Sequence, residues 1–272
     1  MEHIARFFFG VSGNVIALFL FLSPVVTFWR IIKKRSTEDF SGVPYNMTLL
    51  NCLLSAWYGL PFVSPNNILV TTINGTGSVI EAIYVVIFLI FAERKTRLKM
   101  MGLLGLVTSI FTMVVLVSLL ALHGQGRKLF CGLAATIFSI CMYASPLSIM
   151  RLVIKTKSVE FMPFLLSLSV FLCGTSWFIY GLLGRDPFIA IPNGCGSFLG
   201  LMQLILYAIY RNHKGAATPA AAAGKGDAAD EVEDAKKAAA AVEMADTKTN
   251  KVVADDADAD GKPADDKVAS QV

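Results

Sequence analysis

The chain has 272 residues, of which 55% are hydrophobic and 16% charged. Soluble domains average about 25% charged residues, so the composition argues against a soluble globular enzyme at the outset. The formal net charge of +4 is the sum of two unlike parts. Residues 1–210 hold 15 Lys/Arg against 7 Asp/Glu, and residues 211–272 hold 9 against 13, so a basic body of +8 carries an acidic tail of −4.

A membrane-crossing helix needs about 20 mostly apolar residues. Seven segments qualify in chain order: Phe7–Trp29, Tyr45–Val63, Ile68–Phe91, Met101–Leu122, Leu129–Leu152, Phe164–Leu183 and Phe188–Tyr210. The first is too long for a signal-peptide core and ends without a small-residue cleavage site, so it reads as retained. The short loops set the orientation. Arg30, Lys33, Lys34, Arg35, Arg94, Lys95, Arg97, Lys99, Arg151, Lys155 and Lys157 make 11 basic residues on one side; Arg6, Arg127, Lys128 and Arg185 make 4 on the other. The richer side is expected to be cytosolic, which puts the N-terminus outside and the C-terminal tail inside. The tail, rich in Ala, Asp and Lys and free of aromatic residues, has no apolar face to pack and reads as disordered.

Cys52, Cys131, Cys141, Cys173 and Cys195 lie in or beside apolar runs with no CxxC pair, so inert thiols are expected rather than a metal site. No HExxH, GxSxG or phosphate-loop pattern occurs, and the basic clusters flank apolar runs rather than form a nucleic-acid face. No enzyme activity, cofactor, metal or nucleic-acid partner is expected.

The most informative feature is an internal repeat. Ser23-Pro24 recurs as Ser145-Pro146, Lys33 as Lys155, Ser36 as Ser158, Glu38 as Glu160 and Pro44 as Pro163. Tyr58-Gly59-Leu60 recurs as Tyr180-Gly181-Leu182, and Asn74-Gly75-Thr76-Gly77-Ser78 as Asn193-Gly194-Cys195-Gly196-Ser197. The order is kept and the offset stays between 119 and 122 residues. Spans 1 to 3 therefore repeat as spans 5 to 7. A three-span unit ends on the side opposite its start, so one extra crossing is needed before the same orientation can repeat. Span 4 supplies it. The fold expected is an all-α membrane protein of seven transmembrane helices, two parallel three-helix bundles joined by a linker helix. The expected divisions are residues 1–98, a linker at 99–124, residues 125–210, and the tail at 211–272. Transporters built from such repeats hold substrate at the repeat interface near the midplane.

The paired Ser-Pro, Tyr-Gly-Leu and Asn-Gly-x-Gly-Ser motifs in a 3+1+3 layout resemble the SWEET (MtN3/saliva) sugar facilitators, the family that itself exemplifies parallel repeats. The resemblance covers residues 1–210. The stretches LLNCLLSAWYGLPFVS, TINGTGS, GLAATIFSICMYASPLSIM and FLCGTSWFIYGLLGRDPF are most similar to the plant, hexose-carrying branch. It implies bidirectional, uncoupled transport of a monosaccharide, glucose, by alternating access. It also implies a homo-oligomer in the lipid bilayer, at the plasma membrane or an internal one.

Candidate site residues follow. A carboxamide supplies donors and an acceptor, which a sugar hydroxyl needs. Asn74 and Asn193, one per repeat, are the expected substrate ligands; the alternative is interhelical glue. Asn46 and Asn74 also head glycosylation sequons, discounted because one falls on the cytosolic side and the other within the bilayer. Trp177 offers an indole face to the C–H face of a pyranose. In the Tyr-Gly-Leu register it matches Ser55, not Trp57, and the resemblance sets 55 and 177 on either side of the sugar. It also puts Leu20, Asn51, Met142 and Cys173 around the inner pocket, where they affect substrate size. Pro24, Pro44, Pro146 and Pro163 become a cytosolic-side hinge set, although Pro44 and Pro163 also suit helix starts. Tyr58 and Asp186 form an outer gate by the resemblance; Asp186 reads equally as the cap of span 7. Glu81 is the one carboxylate well inside a span. It is either a structural hydrogen bond or the coupling residue of a proton-driven carrier. A seven-helix receptor is the remaining alternative, and it predicts no repeat.

Overall fold

The computed structural model describes residues 1–159 and 162–212; Glu160, Phe161 and the acidic tail from residue 213 lie outside the described residues. Nine helices account for the described chain: α1 Glu2–Leu22, α2 Val25–Lys34, α3 Val43–Tyr58, α4 Ile68–Phe91, α5 Arg94–Leu120, α6 Gly124–Cys141, α7 Ala144–Thr156, α8 Phe164–Leu183 and α9 Pro187–Tyr210. Paired as α1–α2 and α6–α7, they make seven rods in the 3+1+3 order. Six rods are long and apolar enough to cross a membrane: Glu2–Lys34, Ile68–Phe91, Arg94–Leu120, Gly124–Thr156, Phe164–Leu183 and Pro187–Tyr210. The seventh, α3, has 16 residues. Large apolar side chains such as Phe7, Phe19, Ile83, Val86, Leu120, Ile137 and Phe198 stand exposed along the rods, as a lipid-facing surface requires.

Proline explains where the rods depart from the expected spans. Span 1 runs past Trp29 to Lys34 but breaks at Ser23-Pro24. Pro24 has no N–H for the Leu20 carbonyl, and the Ser23 hydroxyl donates to that oxygen instead, at 2.8 Å. The matching rod breaks at Met142-Tyr143, and Pro146 is the third residue of α7. The second rod stops at Tyr58 rather than Val63. Pro61 cannot donate to the Trp57 carbonyl, which takes a tighter bond from the Leu60 N–H at 3.3 Å. The fourth rod starts at Arg94 rather than Met101, so the basic cluster of Arg94, Lys95, Arg97 and Lys99 lies in the first turns of α5. Pro44 sits at the start of α3 and Pro163 caps α8, both as helix-starting prolines.

Within each unit the third rod sits in the middle. α4 packs against α1, α2 and α3, and α9 packs against α6, α7 and α8. The Tyr-Gly-Leu glycines permit this. A Cβ on Gly181 would lie 2.6 Å from the Ala190 nitrogen, and one on Gly59 would lie 2.8 Å from the Thr71 nitrogen, so α8 meets α9 and α3 meets α4 at backbone contact. The units meet crosswise, α1 on α8 and α3 on α6, while α5 leans on α3 with lesser contact to α6 and α4.

At the end that carries the 11 basic residues, Glu38 holds the loop after α2. Its carboxylate pairs with Arg30 at 2.6 Å and Lys34 at 2.5 Å. Hydrogen bonds from Arg30 and then Lys34 lower its pKa from 4.5 to about 2.

Candidate functional site

Where the two units cross, six helices, α1, α3, α4, α6, α8 and α9, line a cavity of about 170 Å³. Asn74 of α4 and Asn193 of α9 face it from the middle rod of each unit. Both sit alike. The Asn74 amide donates to the Val70 carbonyl at 2.9 Å, and the Asn193 amide to the Ile189 carbonyl at 2.8 Å. With its nitrogen engaged on its own helix, each carboxamide is left to offer an oxygen acceptor and one N–H.

The other two walls are unlike. Trp177 of α8 lies on the α1 side, 6% exposed, its ring edge-on to Tyr180 at 5.1 Å between centroids. Gly13 of α1 makes room for it: a Cβ there would lie 2.7 Å from the indole nitrogen. Ala17 and Phe21 continue this apolar wall. Ser55 and Asn51 of α3 and Ser139 of α6 form the opposite wall. The Ser139 hydroxyl donates to the Asn51 side-chain oxygen at 2.7 Å, a bond between the two units. Trp57 points elsewhere, its indole donating to Ser118 of α5 at 3.0 Å. The register that matches Ser55 with Trp177 is therefore the one that puts both on the cavity. The site has an aromatic face and a hydroxyl-rich face, with a carboxamide at each flank.

One end of the cavity is shut. Tyr58 donates to the Asp186 carboxylate at 2.7 Å, joining α3 to the turn before α9. Asp186 also caps α9, accepting from the Phe188 N–H at 3.1 Å, so one side chain both caps the helix and takes the bond from Tyr58. Asn67 donates to the same carboxylate at 2.8 Å, and Lys128 approaches it at 3.5 Å. The carboxylate is 2% exposed, and these partners are what allow an anion to be buried there. At the opposite, basic end, α2 packs on α4 of its own unit and α7 on α9 of its own, and neither half-helix builds a substantial contact with the other unit.

The model of the sugar efflux transporters for intercellular exchange matches the chain twice, over residues 7–96 and 129–215. The chain belongs to this family, the SWEET transporters. It is 99% identical over 238 residues to the bidirectional sugar transporter SWEET1a of Oryza sativa subsp. japonica, covering 88% of this chain and 87% of that one. It is 83% identical to SWEET1a of Sorghum bicolor over the whole of both chains. With SWEET1 of Arabidopsis thaliana it shares 70% identity over 78% of this chain and 86% of that one. A solved eukaryotic SWEET transporter superposes with a TM-score of 0.75 at 50% identity, covering 77% of this chain and 98% of that one. The family is one of transporters, not enzymes.

Leu20, Met142 and Cys173 do not join Asn51 on the cavity. Leu20 gives its carbonyl to the Ser23 hydroxyl, Met142 ends α6 at the break, and the Cys173 thiol faces the Gly13 carbonyl at 3.9 Å. Several residues of this SWEET went unnoticed in the sequence. Pro192, on the cavity, sits inside α9 with no counterpart in the first repeat, where Ile73 stands. It frees the Phe188 carbonyl, which accepts from Thr136 of α6 at 3.2 Å. The Pro192 carbonyl in turn accepts from the Tyr143 hydroxyl at the α6–α7 break. The second glycine of each Asn-Gly-x-Gly-Ser motif seats an aromatic ring at such a break, Gly77 against Phe21 and Gly196 against Tyr143. Glu81 is 4% exposed between the rods of the first unit and off the cavity, with Oε2 unpartnered.

Proposed function

We propose that this chain carries a monosaccharide, glucose, in either direction across a membrane, without coupling to an ion. The observation that carries the reading is the cavity between the units, with Asn74 and Asn193 at its flanks and Trp177 facing Ser55. A pyranose has an apolar C–H face and an equatorial rim of hydroxyls. The indole takes the face, and the two asparagines with Ser55 and Asn51 take the rim. Relatives named as bidirectional sugar transporters support a sugar as the cargo.

Alternating access follows from the two unequal ends. The Tyr58–Asp186 end is the outer gate and is closed here, so the pocket serves the basic, cytosolic side. Residues 1–98 and 125–210 rock against each other about the cavity, with 99–124 as the tether. The breaks at Pro24 and Pro146, and the helix starts at Pro44 and Pro163, take up the bending. In this reading the protein spans the plasma membrane as a homo-oligomer, with its N-terminus outside and its tail in the cytosol. Glu81 lies away from the cavity, which favours a structural carboxyl over a proton-coupling one.

The test is uptake of labelled glucose, galactose, fructose and sucrose into vesicles holding the purified protein. Asn74→Ala and Asn193→Ala are each expected to abolish glucose flux while the variants stay folded. Normal transport by both would sink the pocket assignment. Faster sucrose than glucose uptake would reassign the substrate.

A further inference from the structure

The expected outer gate had two members, Tyr58 and Asp186. The repeat offset identifies what should oppose them. Tyr58 corresponds to Tyr180, Asp186 to Asn67 and Lys128 to Arg6. Asn67 and Asp186 occupy the same place in the fold, the N-cap positions of α4 and α9.

The second set makes the same crossed bonds. Tyr180 of the second unit donates to the Asn67 side-chain oxygen at 3.4 Å and to the Asn66 carbonyl at 3.2 Å. Arg6 of α1 donates to the Asn67 oxygen at 2.7 Å and lies over the Tyr180 ring at 4.4 Å from its centroid. Its guanidinium fits against Gly184 of the second unit, where a Cβ would lie 2.7 Å from a guanidinium nitrogen. The two halves are then tied to each other by the Asn67 amide, which donates to Asp186 at 2.8 Å.

We infer that the gate is a double latch, with Arg6, Tyr180 and Asn67 as its second half and Arg6 as the positioning residue that sets the polarity of the tie. A carboxamide that accepts from Arg6 through its oxygen must turn its N–H groups toward Asp186. The chemical asymmetry is required. Two aspartates at these caps would face each other at hydrogen-bond distance as like charges, and two asparagines would leave Tyr58 and Lys128 without an anion. One asparagine and one aspartate is the pair that joins. Opening this end must break both crossed tyrosine bonds and the tie together, so the halves act as one unit.

The inference rests on the transport reading for its consequence, so the test has one arm that needs no sugar. Backbone hydrogen exchange is followed in full-length protein in lipid nanodiscs, over the peptides holding residues 58–68 and 180–190. Arg6→Ala is expected to speed exchange in both peptides by about ten-fold, as loss of a charge-assisted hydrogen bond implies, and Tyr58→Phe to do the same. Arg6→Lys should recover most of the protection. Unchanged exchange in the 180–190 peptide of Arg6→Ala overturns the inference.

The second arm is glucose flux in Asn67→Asp at about pH 5 and about pH 8. The paired carboxylates share a proton at the lower pH and repel at the higher, so the variant's flux becomes pH-dependent while the wild type stays flat. The charged and titratable groups facing the pair are Arg6, Lys128, Tyr58 and Tyr180, and all are present in both proteins. A flat profile in Asn67→Asp overturns the tie. Wild-type vesicles that move no sugar would instead defeat the transport reading and leave the exchange arm to decide the latch.

Discussion

Replacing Gly181 with alanine measures how much of this fold depends on backbone-to-backbone approach. The new Cβ would sit 2.6 Å from the Ala190 nitrogen and 2.9 Å from its Cα. Ordinary carbon contacts lie at about 3.5–4.0 Å, so α8 and α9 must part by roughly 1 Å. The obstacle is backbone at both atoms, so no rotamer change relieves it. Overpacking of this kind costs about 1–3 kcal/mol, and the strain here belongs at the upper end. Removing a helical glycine returns about 1 kcal/mol. The net loss is about 2 kcal/mol, which by the scaling for domains of this size lowers the melting temperature by roughly 4–8 °C. The control is Gly105→Ala on α5, where a Cβ meets nothing within 4 Å and only the helix-propensity gain remains. Thermal unfolding of both variants in one detergent or lipid, read by intrinsic fluorescence, gives the comparison. If Gly181→Ala melts with the wild type, or Gly105→Ala melts lower than it, the close-approach argument is refuted.

Four further outcomes are expected. Gly13→Ala should weaken glucose affinity about ten-fold with less effect on maximal rate, because its Cβ displaces the Trp177 indole rather than any moving part; an unchanged half-saturation concentration would contradict this. Ser139→Ala should remove the bridge to Asn51 and cost about 1 kcal/mol of stability, read by the same melting assay, with no loss expected for Ser139→Thr if its hydroxyl keeps the bond. Glu81→Gln should leave flux insensitive to an imposed pH gradient, as in the wild type; a gradient response in the wild type that the variant loses would revive proton coupling. The Glu38 clamp has a carboxylate with a lowered pKa, so its contribution is complete above the ordinary value of 4.5 and is lost as pH falls through about 2. A carboxyl-carbon NMR titration of Glu38 should find that low midpoint, and a midpoint near 4.5 would break the assignment.

Seven rods in a 3+1+3 order were legible because hydropathy and the repeat are both long-range signals. Single positions were legible where the repeat itself paired them: Asn74 with Asn193 by identical motifs, and Ser55 with Trp177 by position alone once the Tyr-Gly-Leu register was used. What stayed hidden has specific causes. Periodicity alone did not show that α3 stops at Tyr58, because the apolar run continues through Pro61, where the backbone donor is missing. Pro192 was hidden because its repeat partner is Ile73, so a search for matched pairs passes over it. Arg6 and Lys128 were counted only as loop charges. Their pairing with Asn67 and Asp186 depends on how the two units cross, and no local pattern encodes that. Asn67 was missed for a related reason: asparagine and aspartate are different letters at one structural position.

The same comparison explains why the two units have not stayed identical. Positions that control how close the rods come are kept in pairs, Gly59 with Gly181 and Gly77 with Gly196, because both units must pack alike for one axis to relate them. Positions on the cavity have diverged: Ser55 against Trp177 and Ser139 against Ala17, while Asn51 on the cavity matches Cys173, which lies off it. A two-fold cavity would present any ligand that lacks such symmetry with two equivalent poses, and neither pose could use all of the polar groups. A hexose has no two-fold axis. For the hexose proposed as cargo, divergence on the walls would select one pose, with the ring face on the α1–α8 side and the hydroxyls toward α3 and α6. In that proposed pose the asparagines can remain matched, because each flank of the rim would want the same acceptor and donor that each carboxamide has left to offer. The gate proposed above follows the same logic in reverse: its tyrosines are kept as a pair, its cations stay basic as Arg6 and Lys128, and the exchange of Asn67 against Asp186 is the one that lets the halves bond instead of repel.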